Sequence, residues 1–172
     1  LTTLYVTKVQ EQLGEEHLDA LVAMSILASS YSELGRSQEL NAMVLEKRKK
    51  LLGQEHPDTL RAMGNLASSY NDLGRSKEAA DLEAMVLKKR KKLLGEEHPH
   101  TLLAMANLAV SYDNLGRVKE ATDLKTMVFE KRKQLLGEDH PDTLLAMKNL
   151  AASYRDLGCS TEAAELEALI LD

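Results

Sequence analysis

Residues 53–94 read GQEHPDTLRAMGNLASSYNDLGRSKEAADLEAMVLKKRKKLL. Leu60, Met63, Leu66, Ala67, Tyr70 and Leu73 recur at three- and four-residue steps and fall on one helical face. Pro57 suits the first helical position, where its missing N–H costs nothing. Asp58 in the first turn favours the positive helix end. Gly74 follows the last turn, where a left-handed residue closes a helix. A second helix is expected from Ser76, placed as its N-cap, to Leu94, with Ala79, Leu82, Met85, Val86 and Leu93 facing inward and Gly95 ending it.

The segment is one of several copies. Leu-Gly recurs with its glycine at 14, 53, 95 and 137, at intervals of 39, 42 and 42 residues. A second glycine series, 35, 74, 116 and 158, lies 21 residues after each of these. Two amphipathic helices joined by a tight turn cannot bury both faces alone, whereas stacked pairs can. The expected fold is all-α: a right-handed α-α superhelix, or solenoid, of four helix pairs plus a partial N-terminal helix, about nine helices in all. Its copies span 14–52, 53–94, 95–136 and 137–172, with 1–13 as the end of a preceding second helix. The first copy lacks three residues, because RSKEAADLEAMVL (75–87) aligns with RSQELNAMVL (36–45). Three residues turn a helix by about 300°, so a second helix one turn shorter is expected there. The chain opens Leu1-Thr2-Thr3 without Met and stops inside a second helix, the pattern expected of a piece cut from a longer array. Uncapped apolar faces at both ends would let such pieces pack end to end.

Composition excludes several classes. The chain has 172 residues and a net charge of −5, with 3% aromatics and no Trp. That is poor material for a nucleic-acid binder. A single cysteine, Cys159, rules out an internal disulfide framework and suits a reducing, cytoplasmic setting. No stretch reaches membrane-spanning length. Neither a P-loop, a glycine-rich phosphate cradle nor a Ser-His-Asp constellation is present. No enzyme activity, cofactor, metal or membrane partner is expected.

With these residues in view, the chain resembles tetratricopeptide repeats (TPR) of the 42-residue kinesin light chain type. The pattern L-A-x-x-Y-x-x-x-G-x-x-x-E-A stands at Leu66, Ala67, Tyr70, Gly74, Glu78 and Ala79 and returns in copies three and four. The linking phrase LGQEHPDTL (52–60) is characteristic of that type. The near-identical copies and the GRSKEA turn (74–79) resemble most closely the TPR arrays at the C-terminus of fungal NOD-like receptors, where such arrays are thought to sense ligands. Departures are Leu18 for the proline, Ile26 for the asparagine, Leu40 for the alanine and Cys159 for the arginine. The resemblance implies a protein- or peptide-binding scaffold, acting as the ligand-sensing region of such a receptor. The alternatives are a kinesin light chain-like cargo adaptor and a structural repeat without a ligand.

Comparison among the four copies locates a candidate binding stripe. The first helix is nearly invariant except at Val22, Ser25, Ser29 and Ser32; Arg61, Gly64, Ser68 and Asn71; Leu103, Ala106, Val110 and Asp113; and Leu145, Lys148, Ala152 and Arg155. The spacing of 3, 4 and 3 makes one helical stripe, separate from the core stripe. The resemblance implies that these positions line a concave groove. Free drift of tolerant surface positions is the alternative, but the equally polar KRK of the second helix varies less. The stripe runs from small hydroxyls through Leu103, Ala106 and Val110 to Lys148 and Arg155, and it suits a peptide with apolar anchors and an acidic end. The dicarboxylate clamp of chaperone-binding TPR proteins is resembled less, since Ser25 and Ser29 stand where it needs Lys and Asn.

Other conspicuous residues follow the scaffold. The runs at 46–50, 88–92 and 130–134 recur position for position, so they read as a solvated face near the negative end of the second helix, offset by the acidic pairs that follow. His17, His56, His98 and His140 are expected to cap the first helices; zinc ligation would need them to converge. The seven methionines read as core, and Asn65, Asn107 and Asn149 as an inter-copy hydrogen-bond ladder or a contact to ligand backbone.

Overall fold

The computed structural model describes residues 7–8, 11, 14, 17–30 and 34–171. Among them run eight helices: α1 Leu18–Ser30, α2 Leu34–Leu52, α3 Pro57–Asp72, α4 Ser76–Leu94, α5 Pro99–Asn114, α6 Val118–Leu136, α7 Pro141–Asp156 and α8 Ser160–Leu171. In chain order they match the four helix pairs expected, and no strand occurs among the described residues. The partial helix expected over 1–13 lies almost wholly outside the described residues, as does Ser32 of the candidate stripe. Contacts divide the chain into two compact units, Leu1–Leu82 and Glu83–Asp172. In the first unit α1, α2 and α3 pack in chain order, and in the second α5 to α8 do.

The helix limits follow from local chemistry. His56, His98 and His140 each hold an extended conformation before a proline, and each Nδ1 accepts the backbone N–H two residues on at 3.1 Å. The histidines therefore act as N-caps, satisfying one of the donors that a helix start leaves orphaned. At the other end Gly74 adopts φ 73°, its N–H bonds to Asn71 O at 2.9 Å, and the Arg75 N–H reaches back to Tyr70 O at 2.8 Å. This pair of bonds is the Schellman closure, and it repeats at Gly116–Arg117 and Gly158–Cys159. Arg75 and Arg117 then lie over the rings of Tyr70 and Tyr112 at 4.4 and 4.1 Å and pair with Glu78 and Glu120. Cys159 replaces that arginine in copy four, so its turn keeps the backbone bonds and loses the side-chain clasp. Ser76 is the first residue of α4, not the residue before it.

The expected face of the first helix is buried: Leu60, Met63, Leu66 and Ala67 in α3, with Leu102, Met105 and Leu108 in α5 and Met147 and Leu150 in α7 at the same steps. Truncating one such Leu or Met to Ala costs about 2–5 kcal/mol. The second helix corrects the sequence reading in three ways. Ala79 and Val86 are buried as expected, but Met85 and Leu93 are nearly half exposed, and Met43 and Met127 share that exposure. Only the first-helix methionines are core. Next, the middle arginine of each basic run turns inward: Arg48 is 2% exposed and its Nη1 donates to Asp58 O at 3.3 Å. Arg90 and Arg132 reach His100 O and Asp142 O in the same way, at 2.8 and 3.0 Å. A guanidinium can bury its stem and still satisfy a helix-start carbonyl, so the run is no uniform solvated face. The flanking lysines do meet the acidic pairs, as in Lys91–Glu96 at 3.0 Å and Lys131–Glu97 at 2.7 Å.

The third correction concerns length. α2 has 19 residues, the same as α4 and α6, instead of one turn fewer. It recovers the three missing residues by starting at Leu34, so that Gly35 has no left-handed φ, unlike Gly74 and Gly116. Counted back from Leu52 and Leu94, Ser37 takes the step that Ala79 holds in copy two, and its hydroxyl lies 3.4 Å from Ser69 Oγ.

Candidate functional site

Along every described first helix the variable positions reach solvent, fully or in part, beside the buried core face. Val22 and Ser29 on α1 are exposed with Ser25 between them half-buried; Arg61 and Ser68 on α3 are exposed with Gly64 and Asn71 half-buried. In the second unit Leu103, Val110, Leu145, Lys148 and Arg155 are exposed, with Ala106, Asp113 and Ala152 half-buried. The alternation follows from the 3, 4, 3 spacing, which keeps the stripe adjacent to the core face without entering it. In α1, Ser25 and Ser29 turn their hydroxyls back onto Leu21 O and Ser25 O at 2.9 and 3.1 Å, so their donors are used within the helix.

The second unit holds a pocket of about 310 Å³ on this stripe. α5 supplies Ala106, Asn107, Val110 and Asp113; α7 supplies Ala146 and Asn149; α6 supplies Lys125, Val128 and Arg132. Three of the predicted residues thus come together there. Leu103 lies instead in a separate cleft of about 610 Å³ with Pro99, Leu102, Leu135 and Leu136, which Arg132 also borders. Leu145, Lys148, Ala152 and Arg155 line neither.

The charges of the site are partly spent within the protein. Lys125 Nζ pairs with Asp113 Oδ2 at 2.6 Å and donates to Ser153 Oγ at 2.5 Å, with only 15% of its side chain exposed. Arg155 Nη1 meets Glu167 of α8 at 2.8 Å, and Arg61 meets Asp58 at 2.8 Å. Arg132 and Lys148 have no carboxylate partner among the described residues. Asn107 donates to Glu83 at 3.4 Å and not to another asparagine, so the expected ladder is replaced by a bond to the second helix. Glu83 is 2% exposed with one carboxyl oxygen unpartnered. Burial pushes its pKa up from 4.5 to about 7, against the opposing pull of the Asn107 bond and Arg90.

Reading the first helix alone missed what the second helix brings: Lys125, Val128 and Arg132. The signal was present, because the column Asn41, Glu83, Lys125, Glu167 changes charge from copy to copy while the two residues at the core steps after it, Val44/Leu45, Val86/Leu87, Val128/Phe129 and Ile170/Leu171, stay apolar.

The arrangement offers apolar walls, two amides and a guanidinium that has no carboxylate partner among the described residues, with no nucleophile–base pair. Among the described residues no helix is long and apolar enough to cross a membrane. A tetratricopeptide repeat model matches residues 21–58, 59–100 and 101–142. Among solved structures, nearly identical TPR-like repeats from Podospora anserina, assigned to a kinesin light chain, match at 30% identity and a TM-score of 0.81, covering 98% of this chain and 82% of that one. A point variant of those repeats gives 30% identity and 0.84 over 98% and 81%. BtubC (BKLC) of P. vanneervenii shares the fold at 19% identity, with a TM-score of 0.77 over 99% and 68%. No curated protein matches. The repeat model covers most of the chain in three consecutive windows, and the chain belongs to the tetratricopeptide repeat family.

Proposed function

We propose that the chain is a protein- or peptide-binding scaffold that captures an extended ligand along the variable stripe of its first helices. The observation that carries this reading is the pocket of about 310 Å³, where variable Ala106, Val110 and Asp113 of the first helix meet Lys125, Val128 and Arg132 of the second. The pocket's volume stands at the small end of the range for ligand sites. The two apolar walls and the unpaired Arg132 and Lys148 favour a ligand with aliphatic anchors and a carboxylate. The biological setting proposed is the ligand-sensing end of a cytoplasmic fungal NOD-like (STAND) receptor, in which ligand capture shifts the switch of the parent between states. The near identity of the copies supports that setting. Likeness to kinesin light chain-type arrays favours a second reading, a constitutive cargo adaptor. A nucleotide-binding domain encoded upstream supports the first and an upstream coiled coil the second. End-to-end association of arrays is a further proposal, tested by light scattering.

The direct test is capture of immobilised peptides by wild type and by Val110→Glu. Binding that is unchanged in the variant, with helicity intact, rejects the pocket as the site.

A further inference from the structure

We infer that residue 125 on the second helix, through residue 113 on the first, selects the charge of the ligand side chain that the pocket accepts, and that in this chain the selector is set for a carboxylate. The inference rests on the peptide-binding reading and names the ligand chemistry of one pocket within it.

The argument begins with pairing inside each copy. Twelve residues separate Asn71 from Glu83, Asp113 from Lys125 and Arg155 from Glu167. Wherever the first-helix member is charged, the second-helix member carries the opposite charge. Two of these pairs are seen as contacts, Asp113–Lys125 at 2.6 Å and Arg155–Glu167 at 2.8 Å. In the first copy the corresponding letters are Ser32 and Asn41, neither of them charged. At this last position of the stripe the charge therefore varies, and where it appears the second helix cancels it.

Both members of the Asp113–Lys125 pair line the pocket. Lys125 sits deeper, 15% exposed against 34% for Asp113, and its ammonium also donates to Ser153 Oγ of the next first helix. With Asp113 neutralised in this way, the charge left facing the cavity is that of Arg132. One Arg132 nitrogen is engaged with Asp142 O at 3.0 Å, and the rest of its planar fork stays open to a carboxylate. A lysine or arginine on a ligand would meet Arg132 as a like charge and find Asp113 already taken. Without Lys125 the same cavity would carry an unpaired Asp113 opposite Arg132, and its preference would move toward cations.

The test uses an array of short peptides with a valine-rich background and a central Glu, Asp, Gln, Lys or Arg, probed with wild type, Lys125→Met and the double variant Asp113→Asn/Lys125→Met. Wild type should favour the acidic peptides. Lys125→Met should lose about tenfold or more of the Glu-over-Lys preference. The double variant, which restores electroneutrality without the pair, should regain it, and that recovery separates charge selection from misfolding. A Lys125→Met protein that keeps the wild-type preference, or a double variant that stays altered, overturns the inference while leaving the groove in place. A wild type that captures no peptide of any charge overturns the peptide-binding reading and this inference with it.

Discussion

Asn41 and Lys125 stand at the same step of their helices, three residues before Val44 and Val128, and each reaches the serine of the following first helix. Asn41, in the first unit, donates to Ser69 Oγ at 2.9 Å and is buried. Lys125, in the second, donates to Ser153 Oγ and adds Asp113 as counter-ion. The amide satisfies the seam with no charge to desolvate. The ammonium needs a carboxylate beside it, because an unpaired buried charge costs several kcal/mol. Glu83, the third member of the column, has neither a cation in direct contact nor a full set of donors. One position thus carries three electrostatic solutions, and the column differs most in how tightly each is satisfied.

Glu83 gives the largest expected effect. Its carboxyl titrates near 4.5 when unfolded and near 7 when folded. Between those values the folded state binds the extra proton, so this group's contribution is fully present below about pH 4.5 and is lost as pH rises through 7. Glu83→Gln removes the dependence. It should stabilise the protein at about pH 8 by up to about 3 kcal/mol and change little at about pH 5. Urea midpoints of the two proteins that run parallel across this range would show Glu83 to be ionised and well solvated.

The buried arginines come next. Arg48→Met strips a 2% exposed guanidinium from Asp58 O and should cost about 2–3 kcal/mol. Arg132→Met, at a half-exposed site where water can replace the lost donor, should cost at most about 1 kcal/mol. Equal losses in chemical denaturation would mean that the two seams are equivalent after all.

Removing the serine sharpens the comparison further. Ser69→Ala leaves the buried Asn41 amide without its acceptor and should cost about 1–2 kcal/mol. Ser153→Ala leaves Lys125 with Asp113 and should cost less than about 1 kcal/mol. The reverse order in thermal melts would show that the serine, and not Asp113, is what holds the lysine.

These residues also mark the limits of what the sequence disclosed. Helix ends were legible because their chemistry is local: a histidine before proline at 56, 98 and 140, a glycine at 74, 116 and 158. The first-helix core was legible because its apolar period has no competing charges. The second helix was read less well, since Arg48 and Arg90 look like solvent-facing letters within a basic run, and only the carbonyl across the seam explains their burial. Met85 looks like core by type, yet its step points outward. The length of α2 was missed because a deletion in a helix can be repaired by the turn before it. At the site, Ala106, Val110 and Asp113 were visible as variation within one helix. Lys125 was not, because its meaning lies in a pair formed between two helices.

The smallest effect is expected where the sequence first draws attention. Lys91, Lys131 and Lys133, with side chains 36–44% exposed, meet the exposed Glu96, Glu97 and Glu138. Exposed pairs of this kind gain little over solvation and weaken further with salt. Replacing the three lysines together by glutamine should leave the melting temperature unchanged in moderate salt, in contrast to the single Arg48→Met change. A clear loss of stability that persists in high salt would mean that the lysines, too, belong to the packed seam. The expected contrast assigns different work to neighbouring letters of one run. Its middle arginine ties each second helix to the start of the next pair, and its lysines keep the outside wet.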